Sequence, residues 1–472
     1  MILTIVVIAA YFGILVAIGF IGMTRTRSVE ELYVGGMRVG GLLTALSFFT
    51  TYFSSVIFVG ATALGWKYGL GVLWKDVFVV WIGTLLAFIV LGPRLKAVAV
   101  KLRVLSVVEL FEKMLGSRAP AIAAGVAMLL GLVVYAISIL IGVARAFEVI
   151  AGMPYLSALL AVAIVTMIYT AIGGYLGQVW TQAVQALFML LMAVAICIAS
   201  LASVGGVANL YNGLRSIDPA LATWPYRDLL PLMALYLSLG FLGWGNPALL
   251  MRFISIRDRV SLKTATAIAT VLVATLTLSL NLASATTKLI LKDSVAVPDY
   301  AFLHLVQNLF PSGFTALFLV AVLSASMSTL TAMLSTASQI LVRDLRVLGR
   351  VGSETVVFRL TVVVLAILSI ALSINPPPML IVLFGVTTSI LSGVLTGPVI
   401  YTLFWRRVKP EAITVTIAVS TATAIGVAAY GDFKFPWTYY SFIPTLAISL
   451  TLPLVISMLT GGKSASNVSA EW

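Results

Sequence analysis

Apolar residues along this chain fall into long blocks parted by short polar segments. A block of about 17 to 25 residues or more is long enough to cross a bilayer as a helix. Thirteen such blocks are predicted, roughly at 1 to 23, 39 to 64, 70 to 92, 119 to 149, 155 to 172, 177 to 205, 229 to 253, 264 to 289, 312 to 342, 357 to 374, 379 to 405, 411 to 430 and 439 to 461. Blocks two to six and seven to eleven form two groups of five, and an odd number per group inverts the second relative to the first. Inverted repeats mark secondary transporters, in which the first helix of each repeat breaks at mid-membrane and frees backbone groups for ion and solute. The seventh block carries such a break in GFLGWGNP, with Gly240, Gly243, Gly245 and Pro247 inside an apolar run. The second block, FFTTYFSSVIFVGA, has hydroxyls at the corresponding place and no glycine before Gly60. The expected organisation is an extra first helix and loop over 1–38, five-helix repeats over 39–205 and 229–405, and two extra helices with a short tail over 406–472.

Composition agrees with a polytopic, all-α membrane protein. The chain is 61% hydrophobic and only 10% charged, against about 25% charged in soluble domains. The first block lacks a basic leader and a clear cleavage site, so it is expected to stay as a span. The net charge of +13 is explained by placement: with the N-terminus outside, 21 of the 29 Lys and Arg fall on the inner side, Arg252, Arg350 and Lys463 among them, and six, including Arg227, on the outer. That asymmetry predicts an N-out, C-in topology in the cell membrane and requires no nucleic-acid partner. One cysteine and one histidine leave too few ligands for zinc, haem or an iron–sulfur centre. There is neither a phosphate-cradling G-x-x-x-x-G-K-[ST] nor a G-x-S-x-G, so transport driven by an existing gradient is expected rather than enzymatic chemistry.

Candidate chemistry concentrates in SASMSTLTAMLSTAS, residues 324–338, which carries eight hydroxyls and no charge. Ser324, Ser328, Thr331, Ser335 and Ser338 share a helical face, where small hydroxyl residues chiefly let membrane helices pack closely. Ser328 and Thr329 differ, because the Ala325 carbonyl lies one turn before them. Two hydroxyls and a carbonyl can converge on a hard cation, which prefers oxygen ligands, and two more oxygens from a broken helix would complete a neutral cage. Among charges inside spans, Lys75 and Asp76 are adjacent and cannot face the same way; either one lines a cavity while the other snorkels, or both form a shallow helix-end pair. Arg145 and Glu148, at i and i+3, are expected to form a structural ion pair. Trp244 and Asn246 sit at the seventh block's break, where they either meet a solute or serve packing. Asn375 to Pro378 reads as a rigid turn and GGKSASNVSAEW as a disordered tail.

These segments resemble the sodium:solute symporter family along almost the whole chain. The carriers of the likeness are SASMSTLTAMLSTASQILVRDL, VGATALGWKYGLG, GVARAFEVIAGMPY with YTAIGGYLGQVWTQAVQALFMLL, NPALLMRFISIRD and TGPVIYTLFWRR. The resemblance implies a LeuT-like fold, ten core helices plus one before and two after. It also implies a sodium site formed by the carbonyls of Thr50, Phe53 and Ala325 with the hydroxyls of Ser328 and Thr329, and a central solute cavity around Tyr52, Ser54, Ser55, Asp76, Trp244 and Asn246. Two positions depart from the family: Gln182 stands where many members have an aspartate, and Tyr52 where the proline carriers have one. The expectation is a Na+-coupled symporter importing a small organic solute by alternating access, with a small carboxylate such as a monocarboxylate, pantothenate or an amino acid favoured. A sugar symporter or a proton-coupled (H+) carrier on the same fold is the alternative, and an antiporter-like subunit of a respiratory enzyme is the alternative of another class. A monomer in the lipid bilayer is expected to suffice.

Overall fold

The computed structural model describes residues 2–224, 228–292, 295, 297–347, 353–376 and 380–460. Arg227, Arg350, Lys463, the last two prolines of the 375–378 turn and the polar tail lie outside the described residues. Among the described residues the chain is helical, with no strand beyond one isolated bridge between Val39 and Ile256. The helices that build the site are α1 (Ile2–Arg25), α2 (Gly41–Tyr52), α3 (Arg118–Ala151), α4 (Tyr155–Ser203), α5 (Leu229–Gly240), α6 (Pro247–Ser255), α7 (Arg259–Leu291) and α8 (Ser312–Gln339).

Among the described residues, eleven helices are long and apolar enough to cross a membrane, where the sequence predicts thirteen blocks. The difference lies in Ile57–Leu102 and Tyr155–Ser203, of 46 and 49 residues, each longer than one crossing needs: the first joins the end of the second predicted block to the third, and the second joins the fifth and sixth. Both contain a glycine in the left-handed region, Gly69 at φ 56° and Gly174 at φ 58°. A residue without Cβ reverses the chain there at little steric cost, so helix resumes with almost no loop.

Both expected breaks are present, by different means. After α2, Phe53 is extended at φ −113°, ψ 123°, the Ser54 hydroxyl accepts from Val56 N at 3.2 Å, and helix resumes at Ile57–Ala61. Extended backbone suits any residue, which is why this break carries no glycine. In the second break the chain turns at Phe241, runs through Leu242–Gly245 and is extended at Asn246. The Asn246 side chain then caps Ala248 N at 3.0 Å, and Pro247 opens α6, an arrangement suited to a helix start. Gly243 and Gly245 keep negative φ; they permit close approach, since a Cβ there would lie 2.0 Å from Gly83 O and 2.0 Å from Leu391 O respectively. The inner ends of the two broken segments are joined backbone to backbone, Val39 N to Ser255 O at 3.1 Å and Arg257 N to Val39 O at 2.9 Å.

α8 is the central helix: 94% of its most apolar 18-residue stretch is buried, against 22% for that of α1. It packs on α2, α3 and α4, so its hydroxyl face meets other helices rather than lipid.

Candidate functional site

The last carbonyls of α2 have no partner within the helix once the chain breaks after Tyr52. α8 supplies hydroxyls to them. Thr329 Oγ1 lies 3.1 Å from Thr50 O, 3.0 Å from Phe53 O and 3.0 Å from Ala325 O, and Ser328 Oγ lies 3.0 Å from both Thr50 O and Ala325 O. All five residues are buried. Five oxygens share only two hydroxyl protons, so the cluster has an excess of inward lone pairs and can present a neutral oxygen cage to a hard monovalent cation. Among the described residues no group of three or more His, Cys, Asp or Glu gathers anywhere as a metal-ligand cluster.

Behind the cage stands Gln182. Its Nε2 donates to Ser328 O at 2.9 Å and to Thr51 Oγ1 at 3.1 Å, while its Oε1 accepts from Ser47 Oγ at 2.5 Å. Arg252 Nη2 donates to Thr51 Oγ1 at 2.9 Å and approaches Gln182 Oε1 at 3.4 Å. Counted in the sequence among inner-side positive charges, Arg252 is in fact only 2% exposed. Its position near the end of an apolar run gave no hint of that.

A cavity adjoins the cage on the other side of Phe53. Tyr52, Ser54, Lys75, Tyr135, Thr277 and Phe384 line it with Val56, Val79 and Leu242. Of the six residues expected around a solute, Tyr52 and Ser54 reach this lining, Tyr52 donating its hydroxyl to Leu239 O at 2.6 Å. The other four lie outside it. Ser55 donates to Ile139 O at 2.9 Å on α3, Trp244 Nε1 donates to Ile82 O at 2.8 Å, and Asn246 is the cap of α6. Asp76 accepts from Asn281 Nδ2 at 2.6 Å, whereas Lys75 Nζ donates to Asn281 Oδ1 at 2.9 Å. Adjacent helical residues diverge, and it is Lys75 that takes the cavity side. Tyr135, Thr277 and Phe384 were not anticipated, because single aromatic or hydroxyl residues inside apolar blocks carry no signal of their own.

Arg145 is paired with Asp299, which also accepts from Leu380 N at 3.0 Å. Glu148, expected as the partner of Arg145, accepts from Tyr300 at 3.0 Å instead. The acid of the pair comes from the short Pro298–Tyr300 turn between α7 and α8, 154 positions away, a distance no local pattern spans.

Comparison with known proteins gives the family and the fold. The profile of the sodium:solute symporter family matches residues 32–417. Similar curated proteins include the sodium/pantothenate symporter of Escherichia coli, 27% identical and covering 98% of this chain and 96% of its own length. The osmoregulated proline transporter OpuE of Bacillus subtilis is 26% identical and covers 97% and 94%. Among solved structures, a Na+-coupled sialic acid symporter in its substrate-bound outward-open state superposes with a TM-score of 0.83 at 18% identity, over 98% of this chain and 99% of that one. MhsT in complex with L-phenylalanine gives 0.58 at 15%, over 90% and 99%. The fold is thus the LeuT-like one, and the chain belongs to the sodium:solute symporter family, a multi-pass plasma-membrane, sodium-coupled symporter and not an enzyme.

Proposed function

We propose that the coupling sodium is held by the carbonyls of Thr50, Phe53 and Ala325 and the hydroxyls of Ser328 and Thr329, and that the solute lies in the adjoining cavity against Tyr52, Ser54 and Lys75. The observation that supports this most is the convergence of oxygens from α8 on the freed end of α2. Sodium there would tie the two helices together, favouring the conformation that binds solute, and both would leave when the helices part. Phe53 contributes a carbonyl to the cage and its side chain to the cavity wall, so filling one site shapes the other. Sodium-dependent uptake into proteoliposomes tests the cage: Ser328→Ala with Thr329→Ala should lose sodium stimulation, and undiminished stimulation overturns it.

The solute class favoured is a small carboxylate with an apolar body. Lys75 brings an ammonium to a largely apolar cavity, and proline and pantothenate, carried by the relatives above, both bear a carboxylate. A thermal-shift screen over monocarboxylates, amino acids, pantothenate and sugars, with and without sodium, tests this. A stabiliser found only among sugars overturns the carboxylate reading.

The membrane topology that fits is thirteen crossings, N-out and C-in, with Ile57–Leu102 completing the crossing that α2 begins and making the next one, Tyr155–Ser203 crossing twice, and five-helix repeats at 39–205 and 229–405. The corresponding breaks at 53–54 and 241–246 support it.

A further inference from the structure

Past the cage along α8 a second cavity opens, more polar than the central one and lined among others by Tyr169, Thr170, Tyr175, Gln178 and Arg252. Arg252 has neutral company there: the Thr51 hydroxyl, the Gln182 amide oxygen and the face of Tyr175, whose ring centroid is 5.1 Å from Cζ. Among the described residues no carboxylate forms an ion pair with it, and its Nε is buried without a hydrogen-bond partner. An uncompensated guanidinium in a low-dielectric interior is costly. It also stands three hydrogen bonds from the cage residue Ser328, through Thr51 and Gln182 to the Ser328 carbonyl, so it opposes any cation that binds there.

We propose that this cavity is a binding site for a small monovalent anion of the chloride type, held by the free donor edge of Arg252 and bordered by Gln178 and Thr170. The anion neutralises the guanidinium and thereby relieves the repulsion on the neighbouring cation. Gln182 is the reason a mobile anion is needed: an amide at this position supplies hydrogen bonds without charge, whereas a carboxylate there would neutralise Arg252 permanently.

Binding of radiolabelled chloride to the purified full chain in nanodiscs, measured without sodium, reads this site alone. Wild type is expected to show saturable binding, weakened at least about tenfold in Arg252→Gln through loss of the charged donor and equally in Gln182→Asp, where a built-in carboxylate takes the anion's place. Ser328→Ala with Thr329→Ala should keep chloride binding, which separates this proposal from the cation-site reading on which only its coupling to sodium depends. Sodium affinity of wild type should fall when chloride is replaced by gluconate, and that of Gln182→Asp should not change. Each variant is first shown to be folded by its thermal melt. Chloride binding no greater in wild type than in Arg252→Gln, or a Gln182→Asp variant that binds chloride as wild type does, overturns the proposal.

Discussion

The hydroxyl of Thr329 stands 3.1 Å from the carbonyl oxygen of Thr50, although 279 positions separate them in the chain. The contact exists because α2 stops there, leaving its final carbonyls to a neighbour, and because α8 crosses with a hydroxyl in place. Thr329→Val removes one of two side-chain oxygens with little change in packing volume. Sodium affinity, read by sodium-dependent thermal stabilisation, should fall by about tenfold or more, while the melting temperature in sodium-free buffer should move little.

Lys75, which lines the central cavity, donates to Asn281 at 2.9 Å. Lys75→Met keeps the apolar stem and removes the ammonium. Affinity for a carboxylate solute should fall by about 10- to 100-fold, as expected for a lost hydrogen bond to a charged group, with sodium affinity in the absence of solute unchanged. Solute titration by intrinsic fluorescence checks both.

Asp299 fastens the turn before α8 to Arg145 on α3 and to Leu380 N. The carboxylate is 1% exposed, so Asp299→Ala breaks a buried ion pair by removing one member and should cost about 3 to 5 kcal/mol. Replacing both members, Arg145→Met with Asp299→Leu, should recover part of that loss. A double-mutant cycle on thermal or denaturant unfolding in detergent measures it.

At the second break, Gly245→Ala would drive a methyl to 2.0 Å from Leu391 O. Backbone cannot yield as a flexible side chain does, so a loss of about 1 to 3 kcal/mol is expected. Gly152→Ala tests a different cause, since its Cβ meets nothing within 4 Å and only its φ of 65° opposes a side chain. Its cost should be about 1 kcal/mol, read from the same melts.

Asp258 caps α7 outside the membrane, accepting from Ser261 N at 2.7 Å and pairing with Arg257 at 2.7 Å. The Ser261 hydrogen bond first, and Arg257 second, hold its carboxyl at about 2, below the usual 3.8. A depressed folded value contributes stability that is complete above the unfolded value and is lost as pH falls through the folded one. The difference in melting temperature between wild type and Asp258→Ala should therefore be constant from neutral pH down to about pH 5 and shrink toward pH 2.

The sequence by itself determined the class of this protein, because burial of apolar helices in a bilayer depends on composition and block length, both of which are local. It pointed to Ser328, Thr329 and the Ala325 carbonyl as a cation-facing set, because residues three and four apart on one helix must share a side. It also located the glycine-marked break at 240–247. The tertiary structure decided what depends on partners from distant segments. The break at Phe53 uses ordinary extended backbone, which leaves no compositional trace. Lys75 lines the cavity and Asp76 does not, although Asn281, on another helix, bonds to both. Arg145 takes Asp299 rather than Glu148, and Arg252 is buried beside Gln182 rather than solvated. For each of these charges the neighbours were set by the packing of helices far apart in the chain, a relationship that hydropathy and spacing do not encode.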